Sequence, residues 1–404
     1  MAKIRGKKIL VGFLVFSVFG IGIAGVGTWY IVNQTNNLKR EFADYVVAYP
    51  DDVAIVAYTF DENGDPIEDE YSLFHNADQP FVLASTVKLA VLAAYAEAVA
   101  SGRLDPNEQI SVKEWEKYYL PMTDGGAHIL GLKSMGLEVD ELGFALDQTA
   151  TVPLDNVARI MIHYSGNAAT DYLLMRIGAE EMASVMAEAG LENSTPVRPL
   201  LGTVLAMFNH ENTQPTIAQL QSLSNDISEG NTDYMDRLME RYLNDQAWRN
   251  AQIEFMTPDN ITASIGEQNM LDYQAAASQL FPKGTAREYA QLMAQIARGK
   301  LISAEASEIM QQHLESVPSD WPLYLIYYDR FGAKDGVTPG VLTLASYTVP
   351  KRGELAGQYR VVVLLANQMP FEQWSNQLQL EGHYLLQTDL AQASGVFSDV
   401  YNLE

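Results

Sequence analysis

Strand-like segments lie at the two ends of this chain and a long helical stretch lies between them. That order confines the fold to one sheet assembled from both ends, with a helical lobe inserted. From Asp52 to Phe60 the sequence is rich in valine and alanine. Asp61-Glu62-Asn63-Gly64-Asp65-Pro66 is a turn cluster, and Tyr71 to His75 reads as the return strand of a hairpin. Strand character returns at Tyr324 to Lys334, Val341 to Val349 and Tyr359 to Ala366, before an amphipathic stretch from Glu372 to about Ala391. Between about Leu104 and Gly299 the periodicity is helical, and Ser85 to Ala100 is an alanine- and leucine-rich run without a breaker. The predicted class is α+β, an antiparallel sheet flanked by helices with an all-helical lobe.

The amino terminus stands apart from that body. Lys3, Arg5, Lys7 and Lys8 precede an uncharged apolar run from Ile9 to Val32, and roughly 20 such residues span a bilayer core as a helix. Trp29 and Tyr30 fall where an interfacial aromatic belt belongs, and the basic flank places everything after Asn33 outside the cell membrane. The expectation is a cytoplasmic segment at 1–8, one transmembrane helix at 9–32 in contact with the lipid bilayer, a spacer at 33–49 and an extracytoplasmic body at 50–404. A cleavable signal peptide is the alternative, with Ala24-Gly25-Val26 a poor cleavage site, and both readings export the body.

Charge and residue content then exclude whole classes. A net charge of -25 repels polyanions, so no nucleic-acid partner is expected. With no cysteine there is neither a disulfide framework nor thiol catalysis, and the six histidines show no metal-ligand spacing. No metal and no cofactor are predicted.

Ser85-Thr86-Val87-Lys88 sets a hydroxyl and an amine three residues apart at a helix start, on one face of the helix. A serine hydroxyl is a weak nucleophile until a base takes its proton, and lysine becomes that base when burial disfavours its charge. The free N-H groups of a helix start can also hold a developing oxyanion. Alone, this tetrapeptide arises by chance about once in a chain of this length. Its company raises its weight: Ser165-Gly166-Asn167 follows in the helical half, and Lys334-Asp335-Gly336 lies on a late strand.

In these three motifs, and in Ala168-Ala169-Thr170-Asp171-Tyr172-Leu173-Leu174 after the second, the chain resembles class A β-lactamases and the related penicillin-binding DD-peptidases, over about Val53 to Ala391. The resemblance implies a β-lactamase/transpeptidase-like fold and a serine acyl-transfer enzyme. Its substrate would be a small molecule or peptide, either a β-lactam or a cell-wall peptide. It makes Ser85 the nucleophile, Lys88 the general base and Ser165 a proton relay to the leaving nitrogen. Asn167 would hold the substrate amide and Lys334 would supply positive potential, with Asp335 and Gly336 beside it on the substrate strand. The amides of Ser85 and Val337 would form the oxyanion hole. A D-alanyl-D-alanine carboxypeptidase-like protein and a membrane-tethered sensor that does not hydrolyse are the alternatives.

Three departures qualify the resemblance. The segment Val197-Arg198-Pro199-Leu200-Leu201 stands where class A enzymes carry the acid that activates the deacylating water, and neither Glu192 nor Glu211 sits in a matching context. Asp335 replaces a serine or threonine hydroxyl and either repels a substrate carboxylate or pairs with Lys334 or Lys88. No arginine occurs between Val337 and Tyr347. Finally, a helical insertion at 209–282 carries Tyr234, Leu238 and Tyr242 behind the capping candidates Asn231 and Thr232. It reads as a cap, an accessory packing helix or a partner surface. Lys283-Gly284-Thr285 reads as a chance match lying before a helix, and Tyr324, Tyr327 and Tyr328 as core and strand surface.

Overall fold

The computed structural model describes residues 40–207, 209–213, 215–260, 270–316, 324–394 and 399–403. The apolar run 9–32 lies outside them, and among the described residues no helix is long and apolar enough to cross a membrane. In chain order the strands are β1 (Val53–Phe60), β2 (Pro66–Ile67), β3 (Leu73–His75), β4 (Pro80–Val82), β5 (Gln109–Ser111), β6 (Thr151–Pro153), β7 (Lys283–Thr285), β8 (Tyr328–Thr338), β9 (Val341–Pro350) and β10 (Arg360–Ala366). The described chain divides into two compact units, one of 102–182 and 197–281 and one holding the sheet, with residues 40–101, 183–196 and 282 onward.

The sheet unit joins the two chain ends as the sequence predicts. Its order is β2-β1-β10-β9-β8 with β3 beside β1, and every pairing is antiparallel. Every residue of β1, β9 and β10 is buried, because helices cover both faces. This explains why those strands read as continuous apolar runs and not as an alternation. One face carries Val53, Ile55, Leu342, Leu344, Val362 and Leu364, which pack against Phe42, Val46, Leu386 and Leu390 from the chain's terminal helices. The helices Lys88–Ala100, Ala286–Arg298 and Ala304–Ser316 pack together on the other side of the sheet.

Three boundaries differ from expectation. Residues 40–48 are helical and bury Phe42, Ala43, Tyr45 and Val46, so the body begins inside the predicted spacer. Nine residues, about two and a half turns, are too few for periodicity to announce them. The stretch after Glu372 is two helices, Phe371–Leu380 and Gly382–Gln392, broken where Glu381 takes a left-handed conformation at φ 54°. Tyr324–Tyr327 is a helical turn and the strand begins at Tyr328. Tyr328 is buried in the core as expected, and Tyr324 stacks on Phe331 with ring centroids 4.3 Å apart.

Among the described residues, the helical unit contains only the β5-β6 pair as sheet. Its insertion supplies the helices Ile217–Ser228, Asp233–Asn244, Gln246–Phe255 and Met270–Ser278. Asp233–Asn244 follows the predicted cap Thr232 but buries Met235, Leu238, Met239 and Tyr242, leaving Tyr234 half-exposed. A repeat of four drifts across a helix face of period 3.6, so the buried stripe runs i, i+3, i+4, i+7. The helix meets Leu200–Met207 closely, where a Cβ on Gly202 would lie 3.0 Å from the Met235 carbonyl oxygen. It packs within this unit, as an accessory helix does.

Candidate active site

A short 3-10 turn, Ala84–Val87, leads from β4 into the helix Lys88–Ala100 and carries Ser85 at its bend. Ala84 sits at φ 46°, a left-handed conformation that costs a residue with a side chain of order 1–3 kcal/mol. A buried hydroxyl braces the turn: Thr343 of β9 donates to the Leu83 carbonyl at 2.9 Å and lies 3.2 Å from the Gly336 carbonyl. Thr86 Oγ1 lies 2.8 Å from Thr343 Oγ1, and with the Thr343 proton committed, Thr86 is the donor of that pair.

Lys88 is completely buried, and its Nζ donates to Ser85 Oγ at 3.1 Å. Hydroxyl and amine therefore meet as their spacing predicts. The β8 backbone closes on the same turn at Gly336, where an added Cβ would lie 2.6 Å from the Ser85 nitrogen and 2.7 Å from the Leu83 oxygen. Only glycine permits that approach. Gly336→Ala should push β8 off the turn, destabilise the fold by about 1–3 kcal/mol and remove reactivity at Ser85, read by denaturant melts and by labelling with a serine-directed probe. A variant that melts and labels like wild type would contradict this packing.

Alternation along β8 separates its motif residues. Gly336 faces Ser85, whereas Phe331, Ala333 and Val337 belong to the core beneath the terminal helices, so Asp335 shares that opposite face. Lys334, buried on the Gly336 side, curls its Nζ back to the Asp335 carbonyl at 2.9 Å and to Asp335 Oδ1 at 3.0 Å. Of the three roles open in the sequence, Asp335 thus takes the pairing with Lys334. Burial opposes ionisation of Asp335, but the Lys334 charge and hydrogen bonds from Lys334 and Tyr384 outweigh it and hold the carboxyl down at about 2. Close by, burial lowers His383 to about 4 despite the Asp335 charge, and raises Glu381 with help from that charge.

The second motif lies in the helical unit. A π-helical turn, Ile160–Tyr164, ends at Ser165 in a left-handed conformation at φ 67°, and Asn167 opens the helix Asn167–Ile177. Asn167 Nδ2 donates to the Thr123 carbonyl at 3.3 Å. One turn on, buried Asp171 accepts from the backbone nitrogens of Leu200 and Leu201, both at 2.7 Å, and so anchors the start of the helix Leu200–Met207. Asn167, Thr123, Asp124 and Asp171 help line a cavity of about 10 Å³, the room one water needs.

The two fallback acids are elsewhere. Glu211 forms a bidentate bridge with Arg241 at 2.6 and 2.8 Å, and Glu192 is exposed in a turn. Lys283-Gly284-Thr285 precedes a helix as expected, with Thr285 capping it, yet it is also strand β7, paired with β4 next to the Ser85 turn. Burial lowers the pKa of Lys283. Sequence reasoning missed Thr86, Thr343 and Asp171. The last had a signal, since it lies four residues after Asn167 on one helix face.

A family profile described as Beta-lactamase enzyme family matches residues 37–320, which include Ser85, Lys88, Ser165 and Asn167 and stop short of Lys334. No curated protein matches the chain. Among solved structures, a β-lactamase from Sphaerobacter thermophilus is 17% identical with a TM-score of 0.50, covering 88% of this chain and 97% of its own. A structure named PBP-A is 17% identical with a TM-score of 0.49, covering 90% of this chain and 96% of its own.

Proposed function

Since the chain belongs to the β-lactamase enzyme family, we propose that it is a serine hydrolase that forms an acyl-enzyme on Ser85 with a β-lactam or a cell-wall-type peptide amide. The observation that carries this reading is the fully buried Lys88 amine 3.1 Å from the Ser85 hydroxyl, on a turn held against the β8 backbone. Burial is what a proton-accepting lysine needs, since it penalises the charged form. Lys88 takes the Ser85 proton as Oγ attacks the carbonyl carbon, and the amides of Ser85 and Val337 receive the developing oxyanion. Ser165 passes the proton to the leaving nitrogen, and Asn167 holds the substrate amide. Lys334, with Asp335 and Gly336 beside it, forms the strand along which the substrate lies.

A penicillin-binding, slowly deacylating variant of this reading is favoured by one observation. The segment from Val197 to Met207 contains no carboxylate, and Leu200 and Leu201 open its helix on Asp171. The run Ile9 to Val32 would hold the catalytic body on the outer side of the cell membrane as a single-pass anchor, which requires detergent for release. Exposing the full-length protein to a fluorescent penicillin and to a general serine-reactive probe, then mapping adducts by mass spectrometry, tests the assignment. An adduct on Ser85 supports it, and labelling at another residue or at none overturns it.

A further inference from the structure

We infer that the site on the sheet unit favours acyl donors that are uncharged beside the scissile carbonyl, and that Asp335 sets this preference by neutralising Lys334. The inference rests on the proposed acyl-enzyme chemistry and narrows its substrate class.

The strand that meets the Ser85 turn carries two cations, and each is already paired. Lys334 is buried against Asp335, with its Nζ 3.0 Å from one carboxylate oxygen and 2.9 Å from the backbone carbonyl. Arg330 bonds Glu315 and, at 3.2 Å, Gln311. The neighbouring β9, Val341–Pro350, has no charged residue at all. A close ion pair presents a dipole, whose field falls off faster than that of a lone ammonium, so little attraction remains for an incoming carboxylate. Nor can the pair open cheaply on the lysine side, because Lys334 is buried and parting it from the half-buried Asp335 would strand its charge. Asp335 is held in its ionised form by the Lys334 charge and by Tyr384, although burial acts against it. A terminal carboxylate next to the reacting bond therefore finds no unpaired cation on β8 or β9, whereas an internal amide or neutral ester asks for none. Besides the base Lys88, Lys283 of β7 stands half-buried opposite Val82.

The test uses two thioesters of N-benzoylglycine that differ in one group, with mercaptoacetate or mercaptoacetamide as the thiol. In each, the Ser85 Oγ–carbon bond forms and the carbon–sulfur bond breaks. The hydroxyl proton goes by way of Lys88 to the departing sulfur, water then hydrolyses the ester, and the free thiol is measured. For the full-length protein, kcat/KM should favour the neutral thioester by about tenfold or more, because a carboxylate leaves water there with no unpaired cation on the strand to receive it. Asp335→Asn should shift the ratio toward the carboxylate by a similar factor, while Asp335→Glu should restore the wild-type ratio. Because the readout is a ratio, a general loss of activity does not move it, and Asp335→Ser serves if the asparagine variant does not fold. A wild-type preference for the carboxylate, or a ratio unmoved by both neutral substitutions, overturns the inference. So does a carboxylate preference lost in Lys283→Gln. If neither thioester acylates Ser85 while Ser85→Ala behaves like wild type, the acyl-enzyme reading fails and takes this inference with it.

Discussion

Replacing Lys88 with methionine should slow covalent labelling of Ser85 by about 10²- to 10⁴-fold, the worth of a positioned proton-transfer group, and Ser85→Ala should remove the labelled species entirely. Methionine keeps the length and apolar stem of a side chain that is completely buried, so packing around the helix Lys88–Ala100 is preserved while the amine 3.1 Å from Oγ is lost. A melt matched to wild type separates lost chemistry from lost structure. Ser165→Ala, which removes a relay and leaves the Ser85–Lys88 pair in place, should weaken labelling within the same range. Wild-type labelling in Lys88→Met would show that another group activates the serine. Nucleophile and base share one helical turn, which is why the two ends of the pair carry so much of the expected effect.

The same locality makes this pair legible in the sequence alone. Ser85 and Lys88 are three residues apart, so helix geometry alone brings them together. The sheet was legible because β1, β9 and β10 are buried on both faces and so appear as long apolar runs bounded by turns. Contacts over long separations were not legible. Thr343, 258 residues from Ser85, looks like an ordinary polar residue in a strand until the sheet sets it under Leu83 and Gly336. Asp335 was visible as a departure, but its direction was not. Strand alternation turns it from the Ser85 face, and a flexible lysine side chain then brings the Lys334 charge back to it. The break at Glu381 escaped notice because a left-handed conformation there has no glycine to mark it.

A penicillin adduct on Ser85, once formed, should persist for minutes. Acylation needs one proton removed and one delivered, and Lys88 and Ser165 suffice for those transfers in the proposed mechanism. Hydrolysis of the resulting ester needs a water held and deprotonated at the carbonyl, and a general base for that step is worth about 10² to 10⁴ in rate. From Val197 to Met207 the chain offers no carboxylate. The acid anchoring that segment, Asp171, has one oxygen on the Leu200 nitrogen and the other on the Leu201 nitrogen, so both oxygens already brace the fold. Glu211 is committed to Arg241, and Glu192 stands exposed in its turn. Intact-mass spectrometry after rapid mixing should show the acylated species accumulating and decaying slowly. Turnover faster than the adduct can accumulate would require a base outside this segment. Asp124 would be the first residue to change to asparagine, because it lines the water-sized cavity beside Asn167. Its carboxylate also receives the Gly126 and His128 amides, so loss of deacylation in that variant would count only where the melt is unchanged. Slow decay that is indifferent to Asp124→Asn would instead identify the missing carboxylate at Leu200 and Leu201 as the reason the ester survives.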